Sequence, residues 1–133
     1  MLRDAAACMA WLAQLKVSGT SVVIPEISHY ELRRELIRVS AKAKLVRLEK
    51  LLRGTKAGVV TPNAWLKAAE FWAYVRVAGK PTSDPHALDG DAILAGVAAT
   101  IGAPGDSVTI ATTNVGHLAR FPGIDSRRWE MIP

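Results

Sequence analysis

Apolar residues recur at Leu2, Ala5, Ala6, Met9, Leu12, Ala13 and Val17, a helical spacing with few polar positions to interrupt it. A helix over 2–17 is expected, ended at Gly19, with Asp4 in its first turn where a carboxylate suits the helix dipole. The pattern then changes. Ser21-Val22-Val23-Ile24-Pro25 is a short β-branched run of the kind that fills a buried parallel strand, closed by the proline. Helical spacing returns after Ser28, which stands three residues before Glu31 as in a capping box, and runs to Arg38. A further helix over 41–52 sets Leu45, Leu48, Leu51 and Leu52 against Lys42, Lys44, Arg47, Lys50 and Arg53.

Gly54 stops that helix, and 58–61 is no more than a marginal strand or turn. Pro62 takes the first position of the next helix, where its missing N–H costs nothing. Over 63–78, Trp65, Leu66, Ala69, Trp72, Val75 and Val77 fall at spacings of three, four and seven and read as a core stripe, a base-stacking platform being the alternative. Residues 79–86 form a loop rich in Pro, Ser and Asp, in which Asp84 is either a ligand or part of an ordinary turn. Residues 87–100, A-L-D-G-D-A-I-L-A-G-V-A-A-T, can only be a buried or nearly buried helix. A tight connection over 102–106 leads to a second strand over 107–112, a turn follows at 120–124, and 129–132 reads as a last edge strand. Strands alternating with helices predict one α/β domain over 1–133 with a mostly parallel sheet.

Composition sharpens this picture. Half the residues are hydrophobic and only 22% charged, which argues against disorder. Seventeen Lys and Arg against twelve Asp and Glu leave a net charge of +5, a balance that favours an anionic partner such as nucleic acid. The basic charge concentrates on the helix over 41–52, which is either a nucleic-acid groove or the solvated face of an amphipathic helix. Cys8 is the single cysteine, so an internal disulfide and a thiolate zinc site of ordinary spacing are both excluded, and a reducing cytoplasm fits. No apolar run is long enough for a membrane span.

The candidate chemistry lies at three places. Asp89 and Asp91 open the apolar helix, and two adjacent carboxylates repel each other unless a cation or proton sits between them; the alternative for Asp89 is a plain N-cap. Glu31 follows a strand's carboxyl end, where open α/β sheets gather functional groups. If the strands are parallel, Thr112, Thr113 and Asn114 face the same edge. A hydroxyl and an amide there suit a metal-bound water or a phosphate oxygen, the alternative being a turn that caps a short helix.

Taken in order, E-L-R-R-E-L from Glu31, L-D-G-D-A-I-L-A from Leu88 and A-T-T-N-V-G-H-L-A-R-F from Ala111 resemble a PIN-domain nuclease, in the branch that includes the ribonuclease toxins of bacterial toxin-antitoxin pairs. The resemblance runs from about Ser21 to Ile132 and implies a three-layer fold with a mostly parallel central sheet flanked by helices. It also implies metal-dependent hydrolysis of RNA in the cytoplasm, with Mg2+ or Mn2+ as cofactor, an antitoxin as protein partner and a homodimer as assembly. Glu31 matches the family's glutamate, Asp91 its aspartate in D-x-x-[IL]-A and Asn114 the polar residue of its T-x-[ND] turn. The implied metal ligands are Glu31, Asp89 and Asp91, with Asn114 beside them and Thr112 and His117 toward the nucleic acid, to which the basic helix over 41–52 would add Lys44 and Arg47. His117 stands where many members carry an aspartate. Members also begin with a strand ending in a metal-binding aspartate, a role that Asp4, inside a helix, does not take, and such a strand is expected just upstream of Met1. The alternative function is a PIN-like module that binds nucleic acid or a protein without catalysis.

Overall fold

Helix α1 spans Leu2–Val17, as its periodicity predicts. The computed structural model to which it belongs describes residues 2–78 and 85–133. The elements that follow are β1 (Val23–Pro25), α2 (Glu26–Arg38), α3 (Lys42–Arg53), β2 (Lys56–Gly58), α4 (Pro62–Val77), α5 (Pro85–Thr100), β3 (Thr109–Ala111), α6 (Val115–Leu118) and β4 (Asp125–Arg127). A single 3-10 turn, Trp129–Met131, comes last. The chain is therefore mixed α/β, and it gathers into two compact units, Met1–Ile24 with Glu31–Ala57, and Pro25–Tyr30 with Gly58–Pro133. Among the described residues no helix is long and apolar enough to cross a membrane.

Among the described residues of the first unit the buried side chains are Leu15, Leu36 and Leu48, one from each of α1, α2 and α3. Ser40 adopts a left-handed backbone, φ 54°, at the tight turn between α2 and α3. An ion pair from Arg33 to Glu49 ties the two helices together. Helix α2 starts at Glu26, earlier than the capping-box spacing implies, so Ser28 lies inside the helix and is not its cap. Glu26 supplies the first-turn carboxylate. Its Oε1 accepts a 2.9 Å hydrogen bond from the Val60 backbone N–H within the second unit.

The second unit is organised by α4 against α5. Thr61 caps α4, its Oγ1 accepting from Ala64 N at 3.1 Å, and Pro62 occupies the first turn as expected. Thr61→Ala should lower the unfolding free energy by about 1 kcal/mol, the usual cost of losing such a cap, measured by chemical denaturation. Where the helices cross, Gly96 is closely apposed to α4: a Cβ there would sit 2.5 Å from the Ala64 carbonyl oxygen. The α4 face turned inward is accordingly Ala64, Ala68, Phe71 and Val75. Phe71 and Val75 join Leu88, Ala92, Ala95, Leu118 and Phe121 in one cluster, with the Phe71 and Phe121 ring centroids 5.3 Å apart.

This packing corrects the reading of the tryptophans as core. Trp65 is 53% and Trp72 37% exposed, and Leu66 and Val77 are exposed with them, while Val75 is buried as expected. The helical period was right but the inward face was not, because an approach governed by Gly96 admits alanine at the crossing and leaves no room for indole.

The strands also differ from expectation. β3 pairs in parallel with β4, Thr109 opposite Asp125 and Ala111 opposite Arg127. Thr109 Oγ1 donates to Asp125 Oδ2 at 2.9 Å, and Thr112 N extends the ladder to Arg127 O. The last strand is thus Asp125–Arg127, and the stretch over 129–132 turns instead, the Met131 and Ile132 N–H groups bonding back to Arg128 O and Trp129 O. Backbone pairing and the packing of Ile124 on the core set that strand, whereas Asp-Ser-Arg has no apolar pattern to announce it. Where one mostly parallel central sheet was expected, the described strands form two separate pairs, β1 with β2 and β3 with β4.

Candidate functional site

Asp91 is the carboxylate around which the second unit gathers polar groups. It lies on α5, whose residues Leu88, Ala92 and Ala95 are fixed in the core, and its side chain is 23% exposed. Across from it, Leu118 and Phe121 anchor the short α6 and the turn after it into the same core. That anchoring places His117 and Arg120, three residues apart, on the Asp91 side. Arg120 Nη2 lies 3.4 Å and His117 Nδ1 3.6 Å from Asp91 Oδ2. Arg120 is itself held, its Nε donating to His117 O at 2.8 Å and its guanidinium standing 5.8 Å from the Phe121 ring centroid.

Burial pushes the Asp91 carboxyl above its ordinary range, and the charges of His117 and Arg120 pull it back only in part. A carboxylate in this setting is costly to expose to an apolar wall without a cation, so the two basic neighbours offset its desolvation. Arg120 is the residue that sequence reading passed over, as part of a turn. The i, i+3 spacing in H-L-A-R was the signal, since residues so placed on a helical turn share a face.

Asp89 behaves differently. Helix α5 begins at Pro85, so Asp89 lies inside the helix and is not its N-cap. Two residues apart on a helix, Asp89 and Asp91 do not face each other, and Asp89 is exposed where Asp91 is half-buried. Asn114 occupies the N-cap position of α6 without a side-chain cap bond, and its backbone N–H donates to Thr112 Oγ1 at 2.9 Å. The Thr-Thr-Asn segment is therefore a turn that leads into a short helix, and the Asn114 amide is exposed. Glu31 belongs to the first unit, in the second turn of α2, where its carboxylate lies 3.8 Å from Arg34. Lys44 and Arg47 lie on the exposed face of α3, also in the first unit. Asp84 and its loop lie outside the described residues.

Among the described residues, no three His, Cys, Asp or Glu side chains gather as a metal-binding group. The Asp91 and His117 donors, 3.6 Å apart, are close to the roughly 3 Å separation of two neighbouring ligands on a small divalent ion. Mg2+ commonly takes one or two carboxylates and completes its shell with water and substrate phosphate, and Mn2+ likewise prefers carboxylate, carbonyl and water oxygens, whereas an imidazole suits Zn, Cu, Fe or Ni. Of this pair only the Asp91 carboxylate suits such an ion, and Arg120 competes for its Oδ2. A separate cleft of about 230 Å³ is lined by Gly102, Asp106, Val108, Ile124 and Asp125 among others, and shares no residue with the cluster. Both its carboxylates are engaged, Asp106 by Ala103 N and Asp125 by Thr109 and Arg127.

Neither a family model nor a curated protein matches the chain.

Proposed function

We propose that this chain is a PIN-type ribonuclease that hydrolyses RNA with a divalent ion, and that Asp91 is the centre of its reactive site. The observation that carries the reading is the meeting of two of its three sequence motifs. L-D-G-D-A-I-L-A and A-T-T-N-V-G-H-L-A-R-F are separated in sequence, yet Asp91 of the first lies against His117 and Arg120 of the second. Asp91 would be the carboxylate ligand to the ion, while Asp89, turned away from it on α5, and Glu31 and Asn114 enter only as what the resemblance implies. When bound, Mg2+ or Mn2+ supplies an activated water and stabilises charge on the phosphate. The fold contributes the rest: a half-buried carboxylate and a guanidinium fixed by the His117 carbonyl. Incubating structured and single-stranded RNA with the full chain should give cleavage with Mg2+ or Mn2+ and none in EDTA. Intact RNA under both conditions would reject the enzyme. A three-layer PIN-like fold, cytoplasmic location, an antitoxin partner and a homodimer belong to the same proposal.

A second reading is favoured by Arg120, whose guanidinium already neutralises the carboxylate that the ion needs. In that reading the module binds RNA and does not cut it. Both readings place the phosphate contacts on α3, where Lys44 and Arg47 are exposed. Replacing both by Ala should weaken RNA binding and reduce the slope of log affinity against log salt by about 2, since each phosphate contact contributes nearly one. Fluorescence anisotropy across a salt series reads this directly, and an unchanged slope would mark the α3 face as merely solvated.

A further inference from the structure

Charge is divided unevenly between the two units. The first holds eleven Lys and Arg against four Asp and Glu, and the second six against eight. Three of the first unit's acids are already matched by arginines of α2: Glu31 pairs with Arg34, Glu35 with Arg38, and Glu49 of α3 with Arg33. Helix α3 is left with five exposed cations, Lys42, Lys44, Arg47, Lys50 and Arg53. Among the described residues none of the five pairs with a carboxylate, and Arg53 Nε donates to the Glu49 carbonyl oxygen at 3.4 Å. At about 100° per residue, Lys42, Arg53, Lys50 and Arg47 fall in an arc of about 140° centred opposite the buried Leu48, over about 16 Å of helix axis. Lys16 of α1 extends the patch at its far end, its Nζ 2.9 Å from where a Cβ on Gly54 would stand. A helix face that is merely solvated commonly alternates its charges, whereas every ionised side chain in this arc is positive.

We propose that the α3 face from Lys42 to Arg53 docks the sugar-phosphate backbone of double-stranded RNA. The proposal rests on the RNA-directed reading above and specifies paired segments as what the first unit holds. No aromatic residue stands on α3, and the single aromatic of the unit is Trp11, on α1. The face therefore offers cations for phosphate but no platform on which unpaired bases would stack. Paired RNA keeps its bases inside and is recognised mainly by shape and backbone, and a duplex carries about twice the charge of one strand per unit length. An acidic protein would need apolar anchors at the centre of its footprint. In this arc the exposed apolar side chains are Ala43 and Val46 alone.

The test is anisotropy of a fluorescein-labelled RNA strand of about 16 nucleotides, alone and annealed to its complement, titrated with the full chain in EDTA so that no cleavage intervenes. The duplex should bind about tenfold tighter at about 0.1 M salt, the difference that five phosphate contacts make when each releases about 0.9 counterion from a duplex and about 0.7 from a single strand. Lys42→Gln with Lys50→Gln should reduce the duplex's salt slope by about 2, and glutamine keeps the helix propensity of lysine, so α3 should still form. Lys67→Gln, which removes the same charge from α4 in the second unit, should leave the slope as in wild type. A single strand bound as tightly as the duplex, or a slope lowered as much by Lys67→Gln as by Lys50→Gln alone, would overturn the surface while the RNA-directed reading stands. Polyglutamate that displaces the duplex as well as unlabelled duplex does, at equal charge, would make the face a site for acidic protein and also overturn it. No binding of either RNA by wild type would remove both readings.

Discussion

Asp91→Asn should abolish RNA cleavage by the full chain while leaving RNA affinity unchanged or higher. The expected loss of rate is at least about 100-fold, because replacing even a partner of a metal ligand costs up to that much and here a ligand itself loses its charge. Affinity should hold because the substitution removes a negative charge that repels phosphate. The variant should also fold. Asparagine has nearly the shape of aspartate, its carbonyl can still accept from Arg120, and the carboxylate it replaces was being desolvated in the native structure. A group whose folded pKa is raised adds stability in full below its unfolded value, and that contribution is lost as pH rises through the folded one. Asp91→Asn should therefore flatten the wild-type fall in stability over that window, which denaturation at several pH values reads independently of activity. Cleavage that survives the substitution would move the reactive site away from α5.

Gly96→Val should prevent the second unit from folding, and Gly96→Ala should already lower its stability. Alanine in place of glycine inside a helix ordinarily gains about 1 kcal/mol. At this position the gain is outweighed, since the new Cβ would lie 2.5 Å from Ala64 O and 3.0 Å from Ala68 N. Both are backbone atoms, so relief requires moving α4 as a whole and not turning a side chain. Overpacking of this kind costs about 1–3 kcal/mol, and the two extra methyl groups of valine add more. Gly116→Ala is the control, for a Cβ at that position would meet nothing within 4 Å and the change should be neutral or mildly stabilising. Circular dichroism with thermal melting separates the two, and a stable Gly96→Val would mean that α4 and α5 do not cross this closely.

Legibility in the sequence followed how local the cause of each feature is. Helix α1 and the start of α4 at Pro62 were readable because spacing, glycine and proline act within a few residues. The direction in which α4 faces was not, since it depends on Gly96 in a different helix, and an amphipathic count that weighs tryptophan as core cannot see that only alanine fits the crossing. The stretch at Asp125 hid its strand because it pairs by backbone and by the Thr109 hydroxyl, not by an apolar alternation. At the site, Asp91 and His117 could be picked from motif order, and the structure brings them together. The pairing of Asp89 with Asp91 rested on both standing at a helix mouth. Once the helix begins at Pro85, the two-residue spacing turns their carboxylates apart. Glu31 lies in the first unit, so its part in the site stays with the resemblance.

Calorimetric titration of the full chain with Mn2+ tests the central claim most directly. Wild type should bind the ion, Asp91→Asn should lose that binding, and Asp4→Asn, changed in α1 and outside the motifs, should bind as wild type does. No heat of binding in wild type, or equal loss in both variants, would contradict a divalent-ion site centred on Asp91.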